Sequence, residues 1–190
     1  DDESTNIRAD VEREVMQRVY KADGGYYDKL VGVFLWHQEH LHYHYADFIT
    51  YDLEAVDAPG APDLSGNLVK STFCLRDISR VQVAPEQAKE EAEYKICFKK
   101  LQGVSVGWGD TYYYDYPGQS LDISELPSGT YKLTLHVNPE SRLDEINETN
   151  NVGYATFRYD KNAGTVAVLK SFPAENPEYE HVHLEDPFGY

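Results

Sequence analysis

Residues 36–44 read Trp-His-Gln-Glu-His-Leu-His-Tyr-His and carry four of the seven histidines in this chain. The aromatic residues around this stretch favour extended structure, so we expect strand over residues 31–57. Alternate side chains of a strand share one face, which places His40, His42 and His44 together. Imidazoles clustered on one face are typical of a copper or zinc site. On a flat strand the outer two Cα atoms lie roughly 13 Å apart, so sharing one ion requires a bend or bulge.

The fourth histidine, His37, precedes this triplet at an odd spacing, so a regular strand directs it to the opposite face. We interpret it as a residue that orients a metal ligand, and the alternative is a spare ligand brought round by a bulge. Without a specific site, the stretch would be a solvent-exposed strand or would capture metal nonspecifically.

The strand pattern recurs along the chain and predicts the fold class. In residues 131–137, Tyr-Lys-Leu-Thr-Leu-His-Val, apolar and polar side chains alternate. Residues 86–94 are charged and alanine-rich and predict a short helix, while residues 11–19 fit a short amphipathic helix and residues 15–20 fit a strand equally well. Further strands are predicted at residues 68–75, 96–98, 120–123, 130–138 and 152–159. We therefore expect a mostly β protein, an antiparallel β-sandwich core with long loops and one or two short helices.

Length and composition predict one domain without a membrane span. The 190 residues are 41% hydrophobic, enough to bury one core, so we expect a single domain over residues 1–190. Residues 174–190 are acidic and are expected to form a loosely held C-terminal tail. No run approaches the ~18–20 apolar residues of a membrane helix.

The net charge of −16 argues against a nucleic-acid partner, because phosphates would be repelled. It fits a cationic partner such as a lysine-rich protein or a small amine, and solubility or a salty habitat explains it equally well. The two cysteines, Cys74 and Cys97, fit one disulfide in an oxidising compartment or two reduced thiols.

Several motifs together resemble the lysyl oxidase family. The histidine stretch, followed by Tyr51-Asp52-Leu53, is similar to that family's copper-binding signature. Residues 70–75, Lys-Ser-Thr-Phe-Cys-Leu, resemble its Lys-Ala-Ser-Phe-Cys-Leu segment. The match continues through Cys97, Gln102-Gly103, Asp110-Thr111-Tyr112, Gln119, Asp122-Ile123, Pro127-x-Gly129-x-Tyr131, Val137-Asn138-Pro139, Glu145 and Asn150-Asn151-Val152. The resemblance extends from about residue 8 to about residue 160.

The resemblance implies that His40, His42 and His44 bind copper and that Lys70 and Tyr112 form lysine tyrosylquinone. In the family, copper and O₂ oxidise the tyrosine ring to a quinone, to which the lysine amine becomes joined. The implied reaction oxidises a primary amine, on a lysine-containing protein or a small molecule, to an aldehyde with release of H₂O₂ and ammonia. A secreted, extracellular protein is implied as well. Protein made without copper could hold zinc instead and keep Lys70 and Tyr112 apart.

The reaction needs a general base to remove a proton from the substrate. Asp47 and Asp115 are the candidates, because they flank the histidine strand and Tyr112 in sequence. A purely structural role is the alternative for each.

Residues 144–151, Asp-Glu-Ile-Asn-Glu-Thr-Asn-Asn, cluster the oxygen ligands that calcium prefers. The family's calcium motif, Glu-x-Asp-x-x-Asn-Asn, matches at Glu145, Asn150 and Asn151, while Asn147 replaces the aspartate. The sequence leaves open a calcium site or the acidic loop of a plain β-sandwich.

The cysteines depart from the animal members of the family, which carry several disulfides. Glu39 and Gly118 stand where those enzymes have cysteine, so a bond between Cys74 and Cys97 would be a rewired pairing. This departure suggests a microbial member. A second hypothesis is a metal-binding β-sandwich without catalysis, serving adhesion or copper handling.

Overall fold

The computed structural model describes residues 12–37, 42–64, 69–81, 88–97, 100–112 and 120–173, with the backbone alone for residues 37, 69 and 70. These residues contain no helix, and hence none that could span a membrane. Within the described ranges the strands are β1 Glu12–Tyr20, β2 Tyr26–His37, β3 His42–Asp57, β4 Val69–Phe73, β5 Ser79–Arg80, β6 Trp108–Gly109, β7 Gly129–Val137, β8 Val152–Asp160 and β9 Thr165–Phe172. The predicted class, mostly β with an antiparallel, sandwich-like core and long loops, is confirmed.

The chain divides into two compact units. The first contains β1, β2, the start of β3, and the segment from Thr72 to Gln119 with β5 and β6. The second contains the rest of β3 together with β7, β8 and β9. The prediction of one catalytic domain over residues 1–190 stays a prediction, and residues 174–190 lie outside the described part.

The single strand expected over residues 31–57 is instead two antiparallel strands, β2 and β3. Their Cα pairing runs from Phe34 with Tyr45 to His37 with His42, so the chain changes direction between these two strands. Aromatic residues on both sides favour strand, and no glycine or proline lies between them. The sequence pattern therefore gave no signal for a change of direction here.

The first unit begins with a hairpin that resolves the choice left open for residues 11–20. Residues 12–20 form β1, which pairs with β2 and carries alternating exposed and half-buried side chains. Tyr45 of β3 crosses β2, where its hydroxyl donates to the carbonyl of Val31 at 2.7 Å. A Cβ on Gly32 would lie 2.8 Å from the Tyr45 ring, so this close approach requires a glycine.

The short helix predicted for residues 86–94 is absent from its described part, residues 88–94. The fully buried Asp77 carboxylate accepts the backbone N–H groups of Glu93 and Tyr94 at 2.8 and 3.2 Å. It also accepts the N–H and the hydroxyl of Ser105. These long-range bonds satisfy backbone groups that a helix would otherwise pair, which overrides the local helix propensity.

The strand predicted over residues 130–138 is confirmed as β7, but burial along it does not alternate, because Thr134 on the polar face is buried like Tyr131. Tyr131 is fully buried and packs with Leu126, Phe157 and Tyr159, while Ile123, Ala61 and other loop residues cover this core. The strand predicted at residues 120–123 is wrong, because these residues form a loop over the sheet. Strand β9 was not predicted. It is an edge strand with exposed side chains on both faces, so its sequence does not alternate.

Candidate metal and cofactor site

Two histidines near the start of β3 bring their rings together. The Nε2 atoms of His42 and His44 lie 2.8 Å apart, and the ring centroids are 4.8 Å apart. His44 is 3% exposed, and its other nitrogen, Nδ1, lies 3.1 Å from the hydroxyl of Thr72. His40 lies outside the described residues. The structure therefore brings together two of the three predicted ligands.

The two nitrogens are close enough for one transition-metal ion to bind both, since ligating nitrogens lie about 2.0–2.1 Å from such an ion. Imidazole nitrogens suit copper and zinc alike. In the described ranges, which omit His40, no group of three or more histidine, cysteine or acidic side chains could hold a metal. The described pair is thus two thirds of the predicted ligand set.

Tyr112 is anchored by the backbone of one residue. Its hydroxyl donates to the carbonyl of Cys74 at 2.8 Å and accepts the Cys74 N–H at 3.0 Å. The ring meets the Phe73 ring edge-on at 4.5 Å. Cys74 is fully buried and bonded to Cys97, with Cα atoms 5.5 Å apart, so the predicted disulfide is confirmed. The bridge therefore constrains the residue that holds the Tyr112 hydroxyl.

Gln102 connects the histidine strand to the segment that holds Tyr112. Its side-chain N–H donates to the Tyr43 carbonyl at 2.7 Å, and its amide oxygen accepts the Leu75 N–H at 3.1 Å. Together with Thr72, which touches His44, this residue fixes the histidines and the Tyr112 anchor within the first unit.

The remaining predicted site residues are described only in part. Lys70 lies on β4, but only its backbone is described, and the same holds for His37 at the end of β2. Asp115 lies outside the described residues. Asp47 has a φ of 54° within β3, a left-handed conformation that interrupts the regular strand three residues after His44. Their roles stay predictions.

The predicted calcium loop is held together by its own hydrogen bonds. The Glu145 carboxylate accepts the side-chain N–H groups of Asn138 and Asn151. The Asn147 side-chain oxygen instead accepts the N–H and hydroxyl of Thr149. Of the four predicted ligands, Glu145 and Asn151 contact each other directly, and calcium binding stays a prediction.

Asp110 is a half-buried residue that the sequence pattern did not single out. Its Oδ1 atom is shielded from solvent and has no hydrogen-bond partner among the described residues, while Oδ2 lies 3.4 Å from the Arg76 backbone nitrogen. Burial raises the pKa of Asp110 to about 8, against the lowering effect of the Arg76 charge. Its position two residues before Tyr112 in the Asp-Thr-Tyr motif was the available signal.

Asp110 predicts a distinctive pH dependence of stability. Because its folded pKa lies above its value of 3.8 in the unfolded chain, the folded state retains a proton that the unfolded state releases. Its contribution to the free energy of unfolding should therefore fall by several kcal/mol from about pH 4 to pH 8, at about 1.4 kcal/mol per pKa unit. Asp110→Asn should remove this fall, as measured by urea unfolding at pH 5 and pH 8.5.

The matched control is Glu125→Gln, which removes an exposed carboxylate and should keep the wild-type pH dependence. An Asp110→Asn profile parallel to that of the wild type would contradict the assigned ionisation.

Comparisons with known proteins agree on one family. The family model "Lysyl oxidase" matches residues 29–169. Lysyl oxidase homolog 2 from Gallus gallus is 32% identical over 127 residues, which is 66% of this chain and 15% of that protein.

Two Danio rerio proteins cover the same share of this chain, 66% over 127 residues. Lysyl oxidase homolog 2B is 34% identical, with 15% of its length covered, and lysyl oxidase homolog 3B is 33% identical, with 14% covered. The chain therefore spans about 15% of the length of these relatives.

Proposed function

Because the chain belongs to the lysyl oxidase family, we propose that it is a copper-dependent oxidase of primary amines that uses a quinone made from Tyr112 and Lys70. The observation that carries this proposal is the convergence of His42 and His44, whose Nε2 atoms lie 2.8 Å apart. The two nitrogens are close enough to share one metal ion, and the unit that contains them also anchors Tyr112.

In this proposal His40, His42 and His44 hold the copper. With O₂, bound copper supplies the oxidising chemistry that converts a tyrosine ring to a quinone, which zinc cannot do because it has no redox chemistry. Zinc-loaded protein should therefore keep Tyr112 and Lys70 as unmodified precursors. His37, next to this group in sequence, is proposed to orient one of the ligands.

Tyr112 begins in a position where its hydroxyl group is fully paired with the Cys74 backbone. The N–H of Cys74 donates to the phenol oxygen, and the Cys74 carbonyl accepts the phenol proton, so both contacts hold the ring in place. Lys70 stands four residues before Cys74, so the chain keeps their Cα atoms within roughly 14 Å. This tether supports Lys70 as the lysine that joins Tyr112.

The substrate is proposed to be a lysine side chain of a protein or a small primary amine, with O₂ as the oxidant. Such a quinone would supply an electrophilic carbonyl for the amine, and the overall reaction would convert amine, water and O₂ to aldehyde, ammonia and H₂O₂. Asp47 and Asp115 are the proposed bases for the substrate proton. The net charge of −16 favours encounter with cationic amines over nucleic acid.

The setting proposed for this chemistry is extracellular. A buried disulfide between Cys74 and Cys97 is typical of proteins exposed to an oxidising compartment. We also propose that residues 1–190 act as one catalytic domain, with calcium held by Glu145, Asn147, Asn150 and Asn151.

The direct test measures peroxide from protein loaded with copper in air and supplied with a lysine peptide or a small alkylamine. We expect peroxide and aldehyde in equal amounts from copper-loaded protein and none from zinc-loaded protein. Fully copper-loaded, folded protein that yields no peroxide would overturn the proposal. It would favour a metal-binding module that serves adhesion or copper handling.

A further inference from the structure

Both ring nitrogens of His44 have a partner in the first unit. Nδ1 lies 3.1 Å from the Thr72 hydroxyl, and Nε2 lies 2.8 Å from Nε2 of His42. The ring itself is almost completely buried, at 3% exposure. Because a neutral imidazole carries one proton, these contacts allow two arrangements.

The two arrangements differ in which nitrogen is free to bind metal. If Nδ1–H donates to the Thr72 oxygen, Nε2 of His44 keeps its lone pair for an ion shared with His42. If the Thr72 hydroxyl donates to Nδ1, Nε2 carries the proton and cannot act as a ligand. The hydroxyl of Thr72 therefore lies where it can select the ligating nitrogen.

We propose that Thr72 is a positioning residue for the metal site, accepting the Nδ1–H of His44 and so directing the Nε2 lone pair toward the ion. This inference rests on the proposed function for the use of His42 and His44 as ligands. It goes beyond that function because Thr72 itself binds neither metal nor substrate. Residues that hold the second nitrogen of a metal-bound histidine fix both its tautomer and its ring orientation.

The position of Thr72 in the chain gives this contact a second consequence. Thr72 follows Lys70 by two residues and precedes Cys74, whose backbone anchors Tyr112, by two. One short segment thus carries the proposed cofactor lysine, the residue that orients His44 and the anchor of Tyr112.

The test compares copper and zinc affinities of the wild type, Thr72→Ser and Thr72→Val by competition with a chelator. Valine keeps the shape of threonine and removes the acceptor, so we expect affinity to fall about 10- to 100-fold. Serine retains the hydroxyl and should keep affinity within about threefold of wild type, since the hydrogen bond survives. Thr134→Val, at a buried threonine in the second unit, is the matched control and should leave affinity unchanged.

A second measurement uses only the wild type, so it tests the proposal even if a Thr72 variant does not fold. Nitrogen-15 NMR of the zinc-loaded protein should show a proton on Nδ1 of His44 and metal on Nε2. Wild-type affinity in Thr72→Val, or metal on Nδ1, would overturn the inference.

These readouts do not depend on catalysis. If the wild type has no oxidase activity and Thr72→Val lowers metal affinity, the proposed function is overturned. The role of Thr72 is then still supported.

Discussion

Replacing Lys70 with arginine is expected to abolish amine oxidation, by at least about a thousandfold in kcat, while copper content stays at the wild-type level. Arginine keeps the positive charge, but its guanidinium stays protonated and cannot supply the free amine that joins the oxidised tyrosine ring. The quinone therefore cannot be completed, although the histidines are untouched. Peroxide release and bound copper, measured on the same preparation, check both halves of this expectation.

Lys132→Arg is the matched control, because Lys132 pairs with Glu54 on the exposed side of the second unit. It should retain wild-type activity. Lys70→Arg protein that still oxidises amines at a tenth of the wild-type rate would contradict the assignment of Lys70. Loss of copper from Lys70→Arg would instead show that this residue supports the metal site.

Removing the disulfide has a large expected effect on stability. Changing Cys74 and Cys97 together to serine should lower the free energy of unfolding by about 3 kcal/mol, because the bridge closes a loop with a sequence separation of 23. Urea unfolding measures this difference. Since Cys74 also holds the Tyr112 hydroxyl, we expect slower formation of the quinone in the variant.

The matched control for the disulfide is the wild type treated with a reductant and alkylated, which should lose similar stability. A change below about 1 kcal/mol in both would contradict a stabilising role for the bridge.

The fold class was predictable because the core strands keep the period of a β-strand. Tyr131, Leu133 and Leu135 face one side of β7, and Tyr131 lies fully buried as expected. The reversal after His37 and the absence of a helix before Tyr94 could not be predicted from the local sequence, because tertiary contacts determine both. Asp77 binds the backbone of Tyr94 from 17 residues away, a contact that no local pattern contains.

Site residues that belong to a sequence motif were predictable. Residues whose role depends only on a contact in the folded structure were not. The histidine spacing and the flanking segments identified His42, His44, Lys70 and Tyr112 as candidates. Thr72 reaches His44 across 28 positions in the chain, so its hydroxyl could be assigned to the histidine only from the fold. The buried environment of Asp110 likewise arises from residues distant in sequence, including Arg76.

The measurement that tests the central claim most directly is peptide mass mapping of protein loaded with copper in air. The proposal predicts one cross-linked, oxidised species that joins the peptides containing Lys70 and Tyr112, and its absence from zinc-loaded protein. Two separate, unmodified peptides from fully copper-loaded protein would contradict it.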